Sequence, residues 1–131
     1  MSLLLVCNEP SFRVVLGDLL RGAGYEVDVC RDLDGANRQL QRTPYELIIL
    51  NLFDEGETTL RACHELQSIR AQQKIAFIQG RWTAIPTETC PHYLLPLAEN
   101  REELLARVAE IVEQGSPPPP KYTWELAGQS R

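Results

Sequence analysis

Short apolar runs alternate along this chain with longer stretches spaced for one face of a helix. Residues 3–7 (L-L-L-V-C) are apolar without alternation, the pattern of a strand covered on both sides. Pro10 and Ser11 open the next stretch. There Phe12, Val15, Leu16, Leu19, Leu20 and Ala23 recur three and four apart and predict a helical core stripe. Gly24 is placed to end that helix, since glycine takes a left-handed cap conformation without a Cβ clash. Residues 26–30 (E-V-D-V-C) alternate, which predicts a strand half open to solvent at a sheet edge. A weaker helix over 34–42 has Ala36 and Leu40 inward. Residues 46–50 (E-L-I-I-L) are the most hydrophobic run and predict a central strand. After the turn at Asp54, Glu55 and Gly56, a helix over 58–70 carries the stripe Ala62, Cys63, Leu66 and Ile69. Residues 74–79 (K-I-A-F-I-Q) predict a further buried strand and 93–95 (Y-L-L) a fifth. Asn100 and Glu103 form a reciprocal cap for the last helix, whose core face is Leu104, Leu105, Val108, Ile111 and Val112. Gly115 ends it.

This alternation predicts an α/β fold, a parallel sheet doubly wound with helices on both faces. Residues 1–115 form the domain. Residues 116–131 begin with S-P-P-P-P, a stiff linker leading into a further segment. In such folds the functional crevice lies beyond the carboxyl ends of the strands. Here those ends are Cys7-Asn8-Glu9, Asn51-Leu52-Phe53, Gln79-Gly80 and Leu95-Pro96.

Composition narrows the function classes. The net charge is −5, with eleven Arg and two Lys scattered along 131 residues, whereas a nucleic-acid surface needs concentrated positive charge. Cys7, Cys30, Cys63 and Cys90 show no metal-ligand spacing and are expected to be reduced thiols of a cytoplasmic protein. The opening apolar run is too short for a signal peptide or membrane span. His64 and His92 have no spaced partner, and no Walker-type or G-x-G-x-x-G loop is present.

The segments L-L-V-C-N-E-P-S-F, G-Y-E-V-D-V-C, P-Y-E-L-I-I-L-N-L and Y-L-L-P-L followed by E-E-L-L-A-R-V resemble the CheY-like receiver domains of bacterial response regulators, in family order and over about residues 3 to 114. The resemblance implies five strands in the order 2-1-3-4-5. It also implies a chemical corner. Two acidic residues after the first strand and an aspartate after the third hold Mg²⁺, and that aspartate takes up the phosphoryl group. A Thr or Ser after the fourth strand and a Lys after the fifth bind the phosphoryl oxygens. In this chain the acidic pair falls on Cys7 and Asn8, the nucleophile on Asn51 and the hydroxyl on Gln79. The lysine falls on Pro96 counted from Tyr93, or is deleted if Pro96 takes the place of the proline that usually follows it. Lys74 and Lys121, the two lysines present, lie elsewhere.

Every chemical part is replaced. Magnesium prefers carboxylates and water to amides and a thiol, and an amide oxygen is a poor nucleophile toward phosphorus. Without metal or lysine nothing offsets charge on a transferring group. Glu9, Asp54 and Glu55 stay nearby and read as solvated loop charges. A second departure lies between the fourth and fifth strands, where only thirteen residues separate Gln79 from Tyr93 and include Pro86 and Pro91. The fourth helix of the family is therefore expected to be shortened or missing.

The expectation is a degenerate receiver that is neither phosphorylated nor catalytic and that needs no cofactor. It would regulate by binding a protein partner, an attached output domain such as that of a transcriptional regulator, or a second copy of itself. Trp82, Ile85 and Tyr93 mark the expected partner face, because aromatic residues dominate binding hot spots, with Trp82 alternatively folding inward over the sheet. The tail W-E-L-A-G-Q-S is similar to the L-x-G-x-S start of AAA+ sigma-54 activator domains, so the chain is expected to continue. The alternatives are a thiol or small-ligand sensor at Cys7 and Asn51, and an enzyme on the same frame, since fold alone never establishes chemistry.

Overall fold

The computed structural model describes residues 2–52, 56–78, 93–95 and 101–113, with the main chain alone for 56–60, 62 and 94. Its elements are β1 (Ser2–Cys7), α1 (Pro10–Gly22), β2 (Glu26–Cys30), α2 (Leu33–Arg42), β3 (Leu47–Asn51), α3 (Gly56–Ile69), β4 (Ile75–Ile78), β5 (Tyr93–Leu95) and α4 (Arg101–Glu113). The strands form one parallel sheet in the order β2-β1-β3-β4-β5, the order the resemblance implied. The segment expected to hold a shortened fourth helix lies outside the described residues, as do the capping Asn100 and the linker.

Alternate residues of the buried strands feed two separate apolar layers. Leu3, Leu5, Cys7, Leu47, Ile49, Ala76, Ile78, Tyr93 and Leu95 pack under α1 and α4. Leu4, Val6, Ile48, Leu50, Ile75 and Phe77 pack under α2 and α3. The unbroken apolar runs of β1 and β3 follow from burial on both sides. β2 is the edge strand its alternation predicted, with Val27 buried and Asp28 exposed.

α1 ends as its sequence requires. Gly24 has φ 102°. The N–H of Gly24 donates to the carbonyl of Arg21, and that of Tyr25 to the carbonyl of Leu20, the paired bonds of a Schellman cap. Its inward face differs from the expected stripe. Leu16, Gly17 and Leu20 are buried, Phe12 and Leu19 are partly so, and Val15 is 52% exposed. A Cβ on Gly17 would meet the Val29 side chain at 3.6 Å, ordinary van der Waals contact, so this position faces β2 and Val15, two residues earlier, falls outside the buried face. Val15 and Ala23 instead line an open groove of about 540 Å³ between α1 and α4, together with Leu19 and Leu105.

Lys74, just before β4, donates to the carbonyls of Ile111 (2.9 Å) and Val112 (3.2 Å). These belong to the last turn of α4, where a cation satisfies orphan acceptors and opposes the helix dipole. Replacing Lys74 by Met keeps the stem and removes both bonds. Urea unfolding of Lys74→Met is expected to show a loss of about 1–2 kcal/mol, with the denaturant slope unchanged.

Candidate functional site

The carboxyl ends of β1 and β3 meet in register, Cys7 beside Asn51. β3 runs one residue beyond the stretch 46–50, which places Asn51 inside the strand. Both side chains share the parity of Leu5 and Ile49, so both turn to the α1 side, and both are 0% exposed. The Asn51 amide Nδ2 donates to the Cys7 Sγ across 3.8 Å, and the thiol donates in turn to the Glu9 carbonyl at 3.5 Å. Asn8 follows at the mouth of the corner, half-buried.

Two neighbours have roles that the residue pattern did not reveal. The Glu9 carboxylate accepts from the Phe12 N–H at 2.7 Å and caps α1, which puts the acid to structural use. Arg13, one turn into α1, donates from Nη1 to the Cys7 carbonyl at 2.8 Å. The guanidinium therefore sits against the carboxyl end of β1 and supplies the local positive charge. Lys74 stands before the amino end of β4, away from this corner. Gln79, Pro96, Trp82 and Ile85 lie outside the described residues.

Burial pushes the Cys7 thiol above its ordinary range, with hydrogen bonding and Arg13 pulling the other way. Burial, reinforced by Asp32, pushes Cys30 up to about 12. Both thiols are free and are poor thiolates at neutral pH. The expectation that every cysteine is reduced fails at Cys63, which is disulfide-bonded. Spacing could not reveal this, because bridging depends on where the segments pack and not on a local motif.

Tyr93 is only 3% exposed. Its ring lies in the layer under α1 and α4, with the Arg107 guanidinium 5.9 Å from the ring centroid. Burial raises the phenol and Arg107 partly offsets it. In this conformation Tyr93 offers a partner almost no surface.

Among the described residues no three His, Cys, Asp or Glu side chains gather as a metal site. Of the positions that would hold Mg²⁺, Cys7 presents a thiol and Asn8 and Asn51 present amides, a neutral and partly soft set. These residues do not fit a hard divalent cation.

No protein-family model matches the chain and no curated protein matches it. Solved structures do. The N-terminal domain of a response regulator/sensory box/GGDEF 3-domain protein from Carboxydothermus hydrogenoformans aligns with a TM-score of 0.75 at 15% identity, covering 86% of this chain and 94% of that one. The fold is that of a receiver domain. The response regulator TrrA from Thermotoga maritima, in complex with Mg²⁺ and BeF, aligns at 0.67 and 24% identity over 84% of this chain and 97% of that one. A structure of the histidine kinase ThkA in complex with TrrA aligns at 0.71 and 22% identity, again over 84% and 97% of the two chains. In this fold Cys7 and Asn51 stand at the carboxyl ends of the first and third strands.

The raised Cys30 has a consequence for stability. Its neutral thiol is favoured by the folded state, so its contribution is fully present below about pH 9 and is lost as pH rises from 9 toward about 12. Urea midpoints are expected to be independent of this thiol at pH 7–8 and to fall above pH 9, by less in Cys30→Ala than in the parent chain. Equal slopes in the two proteins would show that Cys30 does not titrate with unfolding.

Proposed function

We propose that this chain is a degenerate receiver domain that is not phosphorylated and that regulates by binding a partner protein or an attached output domain, in the cytoplasm. The observation that carries this reading is the Cys7–Asn51 pair, a buried thiol and amide bonded to each other where phosphoryl transfer needs carboxylates. An amide has no lone pair of carboxylate basicity to attack phosphorus. Arg13 adds positive charge but already serves the Cys7 carbonyl, and a single guanidinium does not replace a metal that orients donor and acceptor together. With Gln79 and Pro96 at the other two positions, every part of the transfer apparatus is changed at once, and the domain acts by binding and not by catalysis.

A histidine kinase bound to a response regulator of the same fold is a precedent for a protein partner. The partner face of this reading is the segment carrying Trp82 and Ile85, which precedes β5 in sequence. Tyr93 belongs to it as the buried support of the strand and contributes no contact area of its own while it stays inward. The output carried beyond the Pro117–Pro120 run would be a transcriptional activator module or another effector, and a second copy of the chain is the remaining kind of partner. The alternative thiol sensor at Cys7 is disfavoured by the same geometry, since a buried thiol with a raised pKa reacts slowly.

Intact mass after treatment with acetyl phosphate and Mg²⁺ tests the proposal. The parent chain is expected to gain no phosphoryl group, and Asn51→Asp is expected to gain none either, because the other parts are missing. The variant should also lose about 3 kcal/mol of stability, the equivalent of a rise of about two units in the pKa of a carboxyl closed into this site. A phosphorylated Asn51→Asp would mean that the pocket is otherwise competent and would overturn the reading.

A further inference from the structure

The outward side of α1 carries apolar residues where a helix facing water is ordinarily polar. Val14 is 61% and Val15 52% exposed, and with Val29 they are the large hydrophobics exposed among the described residues. Neither valine serves the helix itself, since a β-branched side chain is a poorer helix former than alanine. Gly22, two turns on from Val15, is unfavourable in a helix for another reason, its backbone freedom. A Cβ there would meet nothing within 4 Å, so no contact inside the domain requires a glycine.

These residues border the open groove between α1 and α4. Val15, Leu19, Ala23 and Leu105 give it an apolar lining, with Asp18 on its α1 side and Arg101 on its α4 side. Val14 stands outside the groove, and Asp18 lies one turn further along the same face of the helix. The two form a ridge beside the groove. We propose that this chain forms a two-fold symmetric dimer in which the Val14–Asp18 ridge of each copy enters the α1–α4 groove of the other, with Asp18 of one copy paired to Arg101 of the other.

A second copy is the occupant because the surface is complementary to itself, which is what an isologous interface requires. Ridge and groove run side by side, with the acid on the ridge and the base on the far wall. Each copy offers both the shape and the charge that the other's groove takes. Asp18 is available for this, with its side chain 73% exposed and Arg21 no closer than 3.9 Å. Arg21 is held instead against β2, where Nη2 donates to the Val27 carbonyl at 2.8 Å. Arg101 is exposed in the first turn of α4, where the helix dipole also favours an incoming carboxylate. Glu102 and Glu103 of that turn do not line the groove. Removing the valines, Leu19 and Leu105 from water in both copies drives association. A contact built on one helix ridge and one groove per copy is small, so the dimer is reversible and not obligate.

Sedimentation of the full chain from micromolar to millimolar concentration tests the proposal, which goes beyond the function proposed above and does not rest on it. The parent is expected to pass from monomer to dimer over this range. Asp18→Arg and Arg101→Asp each set like charges against each other at both pairs, and each is expected to weaken the dimer about tenfold. Their melting temperatures are expected to stay close to the parent's, because both side chains are exposed. Mixed in equal amounts, the two variants are expected to regain the parent's association, since each supplies the charge that the other needs. A parent that stays monomeric at millimolar concentration would leave the groove to a different protein and overturn the proposal. Single variants that associate like the parent, or a mixture that does not recover, would overturn it equally. Phosphate enters none of these measurements, so a failure here is distinct from a failure of the proposed function.

Discussion

Leu3 through Cys7 lie beside Leu47 through Asn51 in parallel register, and every one of these side chains is buried. Such a pair is stable in water only if both faces are covered, because its apolar side chains leave the sheet in both directions. The alternating helices follow from that demand, α1 and α4 on one face and α2 and α3 on the other. The same register brings the ends of β1 and β3 together. It thereby decides which two side chains meet there, whatever their chemistry.

In a receiver that corner concentrates negative charge, which is costly to bury unless a cation is bound. Here the two buried side chains at the ends of β1 and β3 are uncharged. The Cys7 thiol and Asn51 amide hydrogen-bond to each other and to the Glu9 carbonyl, so the site is closed by its own residues. Glu9 caps α1, and Arg13 donates to the carbonyl at the end of β1.

Much of this was legible in the sequence because burial on both faces leaves an unambiguous trace. The unbroken runs of β1, β3 and β4, the alternation of β2, the Gly24 cap and the Leu104–Val108–Ile111–Val112 face of α4 all follow from hydrophobic period and local cap chemistry. The strand order did not, since it depends on tertiary crossovers and was implied by the receiver resemblance alone. Val15 was misplaced because the stripe treats glycine as an absence, whereas Gly17 sits at the centre of the buried face. Cys7, Asn8 and Asn51 were singled out by their positions after the first and third strands, and the register sets Cys7 beside Asn51. The reach of Arg13, the capping by Glu9 and the inward turn of Tyr93 depend on side-chain conformation, which spacing does not encode. The disulfide at Cys63 is of the same kind.

The central claim is that the corner formed by β1 and β3 no longer recognises the metal and phosphoryl group of receivers. The direct measurement is an amide NMR titration with Mg²⁺ followed by beryllofluoride, the pair that TrrA holds in its crystal structure. The account predicts that the amides of Cys7, Asn8, Asn51 and Leu52 keep their positions throughout. Saturable shifts of these amides on adding Mg²⁺, growing with beryllofluoride and spreading to β4 and β5, would contradict it.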